Sequence, residues 1–182
     1  MAGPSGVGKT TIVHELIKRF GGMFSVSATT RPCTANEREG VDYFFVDQPT
    51  FQKWIDEDRF LEYAQVFGRS WYGTPEGPVR EQLANGKLVV LDIDVQGAEE
   101  VRRKFPDMLG VFVLPPSEGE LLSRLRARGR EDEATIERRF AESKLEIARA
   151  KAGKTFDTFV VNDTLPRVTE EVAAIVASRL AT

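Results

Sequence analysis

A phosphate-binding loop sits almost at the first residue. Gly3, Pro4, Ser5, Gly6, Val7, Gly8, Lys9 and Thr10 follow the pattern G-x-x-x-x-G-K-[S/T]. In such a loop backbone N–H groups cradle a polyphosphate, the lysine reaches phosphate oxygens and the hydroxyl faces Mg2+. The loop normally leaves the carboxyl end of a buried strand and opens a helix. The helix is legible: Ile12, Val13, Leu16, Ile17 and Phe20 share one face, His14, Glu15, Lys18 and Arg19 the other, and Gly21-Gly22 stop it. The strand is not, because only Met1 and Ala2 precede the loop. Its absence predicts a trough between neighbouring strands. Four or five missing aliphatics, each worth about 1.5–3 kcal/mol, amount to roughly 10 kcal/mol, comparable with the whole stability of a domain, about 5–15 kcal/mol. The expectation is a fragment or a misassigned start, with further apolar residues encoded upstream.

The rest of the chain reads as one α/β domain. Its 182 residues suffice for a sizeable core, and 41% apolar with 29% charged residues is ordinary globular composition that argues against a disordered tail. A net charge of −3 gives no general reason for nucleic-acid or membrane binding, so any anion site must be local. Cys33 is the only cysteine, which excludes an intramolecular disulfide, and no apolar run has the length of a membrane span. A soluble, cytoplasmic protein is expected, while the oligomeric state is not legible.

After a short strand at 23–28, residues 29–86 change character. A β-rich run at 42–46, a helix at 49–58, strands at 60–67 and 69–73 and a helix opening at Thr74-Pro75 suggest a small antiparallel insertion. The core then resumes. Leu88-Val89-Val90-Leu91 is a continuous apolar run ending in Asp92, as a parallel strand buried on both faces would be. Further strands at 109–114 and 159–161 alternate with helices up to 105, from Ser117 with a Glu120 capping box, at 134–152 and up to Leu180. The fold class is a P-loop kinase core with a parallel sheet and flanking helices, a small mixed insertion and a lid. The core spans 1–28 and 87–182, the insertion about 29–86 and the lid about 126–139.

Asp92 supplies a carboxylate for Mg2+, together with Thr10. Arg124, Arg126, Arg128 and Arg130 form a run of which about half is expected to be solvated. Arginines beside a phosphoryl-transfer site neutralise its transition state. Arg139 follows Arg128 by eleven residues, with Glu131, Asp132 and Glu133 between, which favours a break and a mobile lid. His14 and Cys33 read as residues without a chemical role.

Taken together, the segments GPSGVGKTT (3–11), SVSATTR (25–31), GVDYFFV (40–46), FLEYAQVFG (60–68), WYGTP (71–75), LDIDVQG (91–97), RARGRED (126–132) and VND (161–163) resemble the guanylate kinase family in family order, from Gly3 to about Asn162. The resemblance implies an ATP:GMP phosphotransferase. Its substrates would be GMP and ATP with Mg2+ as cofactor, and its ATP site would run through the loop to Thr11. It implies that Ser27, Glu62, Thr74 and Asp94 surround guanine and that Arg31, Tyr43 and Tyr72 hold the GMP phosphate. Arg128 and Arg139 would embrace the ATP phosphates, and Asn162 would sit near adenine. The catalytic set is then Lys9, Arg31, Arg128 and Arg139. The chemistry agrees: guanine offers N1–H and an exocyclic amine, two donors that carboxylates accept and that adenine lacks on that edge.

The chain departs from the family pattern at Thr34, where members usually carry a second arginine. Losing one charge-assisted hydrogen bond to phosphate costs about 1.5–3 kcal/mol; Arg38 is the nearest substitute. One extra residue near Arg69-Ser70 shifts the frame before Trp71-Tyr72. Alternative readings are a non-catalytic guanylate-kinase-like binding module, another small-molecule P-loop kinase, and a truncated inactive product.

Overall fold

In the sheet of the core, Met1 and Ala2 lie between two parallel pairs of strands. The structure, a computed structural model, describes residues 1–35, 37–66, 70–127 and 132–181. In chain order its elements are α1 (Lys9–Phe20), β1 (Met23–Phe24), β2 (Ala28–Thr29), β3 (Phe44–Phe45), α2 (Gln48–Asp56), β4 (Phe60–Val66), β5 (Ser70–Pro75), α3 (Glu76–Ala84), β6 (Val89–Val90), α4 (Val95–Lys104), β7 (Val111–Leu114), α5 (Glu118–Ala127), α6 (Glu133–Ala152), β8 (Thr158–Val161) and α7 (Leu165–Leu180).

The core strands are parallel: β1 pairs β6, and β7 pairs β8. Between these two ribbons lies the amino-terminal dipeptide. The Met1 nitrogen donates to the Leu91 carbonyl at 2.8 Å, and Ile93 N–H donates back to Met1 at 3.2 Å. On the other side Ala2 N–H reaches the Val111 carbonyl at 2.9 Å, and Val113 N–H reaches Ala2 at 2.8 Å. Ala2 therefore bridges Phe112 in parallel register. The order across the core is β1, β6, the Met1-Ala2 slot, β7, β8. Beneath Met1 the expected trough is present as an apolar cavity of about 440 Å³, lined by Leu16, Val89, Leu91, Leu109, Val111 and Val176 among others.

Both faces of this sheet are covered. Along β7 the pleat turns Val111 and Val113 into a cluster with Val7, Ile12 and Leu16 of the loop and α1 and Val168 and Val172 of α7. Phe112 turns the other way, to Val95 and Ala98 of α4 and Ala150 of α6. Alternate residues are buried on opposite faces, which is why the run shows no polar–apolar alternation.

The stretch read as one strand at 23–28 splits. Met23 and Phe24 stay with the core, whereas Ala28 and Thr29 enter a second sheet of order β3-β2-β5-β4. This sheet is mixed rather than purely antiparallel, because β2 and β3 pair in parallel. Its own small core is aromatic: Phe51 of α2 stacks on Phe60 of β4 at 4.6 Å, under Trp54 and Trp71. Asp47 caps α2 by accepting from Thr50 N–H at 2.9 Å. At α5 the Ser117 hydroxyl accepts from Glu120 N–H at 3.1 Å, but the Glu120 carboxylate turns to Arg124 instead of closing the capping box. No helix among the described residues is long and apolar enough to cross a membrane.

Candidate functional site

A glycine of the loop allows a close approach. Gly8 has φ +98°, a left-handed conformation, and a Cβ there would lie 2.6 Å from the Asn162 amide nitrogen. Asn162, at the end of β8, is buried and donates to the Val7 carbonyl at 2.7 Å, so it braces the loop from behind. Val7 itself is a core side chain that can offer a ligand only its backbone. Gly8 caps α1, whose first turn carries no acidic residue, leaving the positive end of the helix to an anion. Thr10 and Thr11 are exposed at this end.

Lys9 curls back over its own loop. Its ammonium donates to the Gly3 carbonyl at 2.6 Å and lies 3.7 Å from Asp92. Asp92 follows β6 at the carboxyl edge of the sheet, the edge where open α/β sheets bind ligands. Among the described residues no three His, Cys, Asp or Glu side chains gather as a metal cluster. Thr10 and Asp92 are hard oxygen donors of the kind Mg2+ takes when phosphates and waters complete its shell.

A second group assembles on the four-stranded sheet. The β4–β5 register sets Glu62 opposite Thr74, and the Thr74 hydroxyl donates to the Glu62 carboxylate at 2.6 Å in a buried setting. Burial, with Asp94 nearby, pushes the Glu62 carboxyl up to about 7, against the pull of Thr74. Asp94 caps α4 by accepting from Gly97 N–H at 2.7 Å. Ser27 lies half-buried beside β2, its carbonyl accepting from Phe44 N–H at 2.9 Å.

A third group lies just beyond β2. Thr29 fixes the chain there, its hydroxyl donating to the Trp71 carbonyl and accepting from Arg31 N–H. The Arg31 guanidinium lies 5.4 Å from the Tyr43 ring centroid, and its Nε donates to the Tyr72 hydroxyl at 3.3 Å. Tyr43 and Tyr72 meet edge to face. Arg31, Tyr43 and Tyr72 thus lie together. Arg38 is not the expected substitute beside them: its side chain is mostly exposed and pairs with Asp42.

On the opposite wall, Arg139 of α6 lines a cavity of about 360 Å³ with Ser5, Gln65, Asp94, Glu142 and Glu146. Arg128 and Arg130 lie outside the described residues, as does part of the expected lid. Arg124 is tied to the Asn162 carbonyl at 3.1 Å, and Arg126 pairs with Glu133.

Two acidic residues of this region escape sequence reasoning. Glu146 is pushed up to about 7 by burial, with Lys9 pulling the other way and Asp94 and Asp92 adding to the rise. Its signal was available: Arg139, Ser143, Glu146 and Ala150 follow helical spacing on the inward stripe of α6, where an acid is unusual. Glu37 grips Arg31 through both carboxylate oxygens at 2.6 and 2.9 Å. Nothing in the sequence marks that contact.

Comparison with known proteins is consistent across sequence and structure. A sequence profile described as "Guanylate kinase" matches residues 1–179. A guanylate kinase of Myxococcus xanthus is 44% identical over 179 residues, covering 98% of this chain and 84% of that protein. One from Gloeobacter violaceus is 48% identical over 173 residues, 94% of this chain and 82% of that protein. A crystal structure of guanylate kinase from Anaplasma phagocytophilum superposes with a TM-score of 0.80 at 27% identity, covering 100% of this chain and 85% of that one. The chain belongs to the guanylate kinase family, the ATP:GMP phosphotransferases.

Proposed function

We propose that the three groups described above divide the family's reaction between them: the loop holds ATP, the Glu62 region reads guanine and the Arg31 region holds the acceptor phosphate. The observation that carries this reading is the buried Glu62–Thr74 pair with Asp94 close by. Two carboxylates beside one another match the N1–H and amine donors of guanine, and a base without those donors would leave their remaining acceptor capacity unmet.

The acceptor is an ionised phosphate oxygen, so no general base is needed. That oxygen attacks the γ-phosphorus, the bond to the bridging β–γ oxygen breaks, and ADP leaves with the electron pair. Catalysis is then alignment and charge neutralisation. Lys9 leaves the Gly3 carbonyl for the β- and γ-phosphates, with the amides of residues 3–11 around them. Arg31, Tyr43 and Tyr72 orient the acceptor, while Arg139, joined by Arg128, gathers the transferring group. Ser27 completes the guanine pocket, and Asn162 keeps the loop in shape beside the adenine end. Thr10 and Asp92 would hold Mg2+, which when bound neutralises the β- and γ-oxygens.

A coupled ADP-release assay across GMP, AMP, UMP and dTMP tests this reading. GMP is the expected substrate, and Lys9→Met is expected to lower kcat by about 100-fold or more. Equal turnover of AMP, or a Lys9→Met variant with full activity, would overturn it.

A further inference from the structure

The acceptor clamp is already holding an anion of its own. A guanidinium has five N–H donors. In Arg31, Nη2 donates one to Glu37 Oε1, Nη1 donates to Glu37 Oε2 and to the Pro32 carbonyl, and Nε donates to Tyr72. Among the described residues, one N–H is left. The Glu37 carboxylate also accepts from Thr34 N–H at 3.0 Å and from the Thr34 hydroxyl at 2.7 Å. Four donors from two residues therefore close on a single carboxylate, as they would on a phosphate. Arg31, followed by Thr34, holds the Glu37 carboxyl down at about 2, so it is ionised throughout the working range.

We propose that Glu37 is a built-in competitor for the acceptor phosphate, latching Arg31 with Thr34 as its second anchor and thereby raising the KM for GMP. This rests on the reading that Arg31, Tyr43 and Tyr72 hold that phosphate. A dianionic phosphate entering the clamp has two courses. It displaces Glu37, and the affinity is reduced by the fraction of molecules still latched. Otherwise it sits beside a carboxylate, and like charges repel at contact distance. Both courses weaken GMP binding. Thr34, where the family usually carries arginine, contributes no competing cation and instead donates twice to the latch.

The test is steady-state kinetics of Glu37→Gln and Glu37→Ala, each also made in an Arg31→Ala background, with a melting curve for each. Both single variants are expected to lower the KM for GMP by several-fold to about tenfold, with the KM for ATP unmoved. In the Arg31→Ala background the effect of Glu37 should vanish. A KM for GMP that rises or stays level in folded Glu37 variants would overturn the latch, because Glu37 would then be orienting Arg31 or doing nothing. If Arg31→Ala itself leaves the KM for GMP unchanged, the clamp reading fails as well. If Arg31→Ala raises it while the Glu37 variants do not lower it, only the latch fails. Should a Glu37 variant fail to fold, titration calorimetry of wild type with inorganic phosphate decides. Saturable phosphate binding that Arg31→Ala abolishes would show an open clamp and overturn the proposal; binding unmoved by Arg31→Ala, or none at millimolar phosphate, supports it.

Discussion

Glu62 and Gly97 leave each other no room: a Cβ on Gly97 would lie 2.6 Å from the Glu62 carboxylate. Asp94, the second carboxylate proposed to read guanine, caps the same helix turn by accepting from Gly97 N–H. One glycine thus lets a helix start and a buried carboxylate share a position.

Gly97→Ala should displace the Glu62 carboxylate while leaving Lys9 and its loop in place. The expected result is a rise of about tenfold or more in the KM for GMP, with the KM for ATP changed little. The check is steady-state kinetics with each substrate varied in turn. An unaltered KM for GMP would separate Glu62 from guanine recognition.

Glu62 also fixes a pH dependence. Its folded value of about 7 stands above the ordinary 4.5, so between those values the folded state keeps a proton that the unfolded chain has lost. Stability is therefore greatest on the acid side of this window and falls as pH rises through about 7. Glu146, also raised to about 7, acts with the same sign. Glu62→Gln should flatten the dependence of Tm on pH between 5 and 8, and Glu146→Gln should flatten it further. Melting curves of both variants that parallel wild type across that range would refute the assignment.

The trough beneath Met1 makes a prediction about packing. Five apolar, β-branched residues appended before Met1 would run between β6 and β7, and each buried aliphatic is worth about 1.5–3 kcal/mol. The extended chain should melt at a clearly higher temperature and bind less of a hydrophobic dye. Five serines in the same place should do neither. If the two extensions behave alike, the cavity is not a strand seat.

Thr34→Arg should act on both partners of the clamp. The new guanidinium can pair with Glu37, releasing Arg31, and can add a charge-assisted bond to phosphate worth about 1.5–3 kcal/mol. A tenfold or greater fall in the KM for GMP is expected. No change would mean that the acceptor phosphate is already fully held.

Much of this was written locally. The loop, the helix after it and the apolar runs ending at Asp92 and Asn162 follow from glycines, spacing and periodicity, which act over a few residues. They fixed the fold class and the phosphate chemistry. The break between Phe24 and Ala28 was not legible, because which sheet a two-residue strand joins depends on distant partners: Val89 and Val90 for one, Tyr72 and Gly73 for the other. The pairing of Glu62 with Thr74 likewise depends on β-register.

The sequence by itself determined that a phosphate loop opens the first helix of a P-loop core. Only the tertiary structure decided where Met1 and Ala2 go, that a cavity lies beneath them, and that Glu37 pairs with Arg31 through both carboxylate oxygens. Motifs constrain neighbours along the chain. Burial, charge balance and donor counts are sums over residues brought together from far apart, and they exist only once the chain has folded.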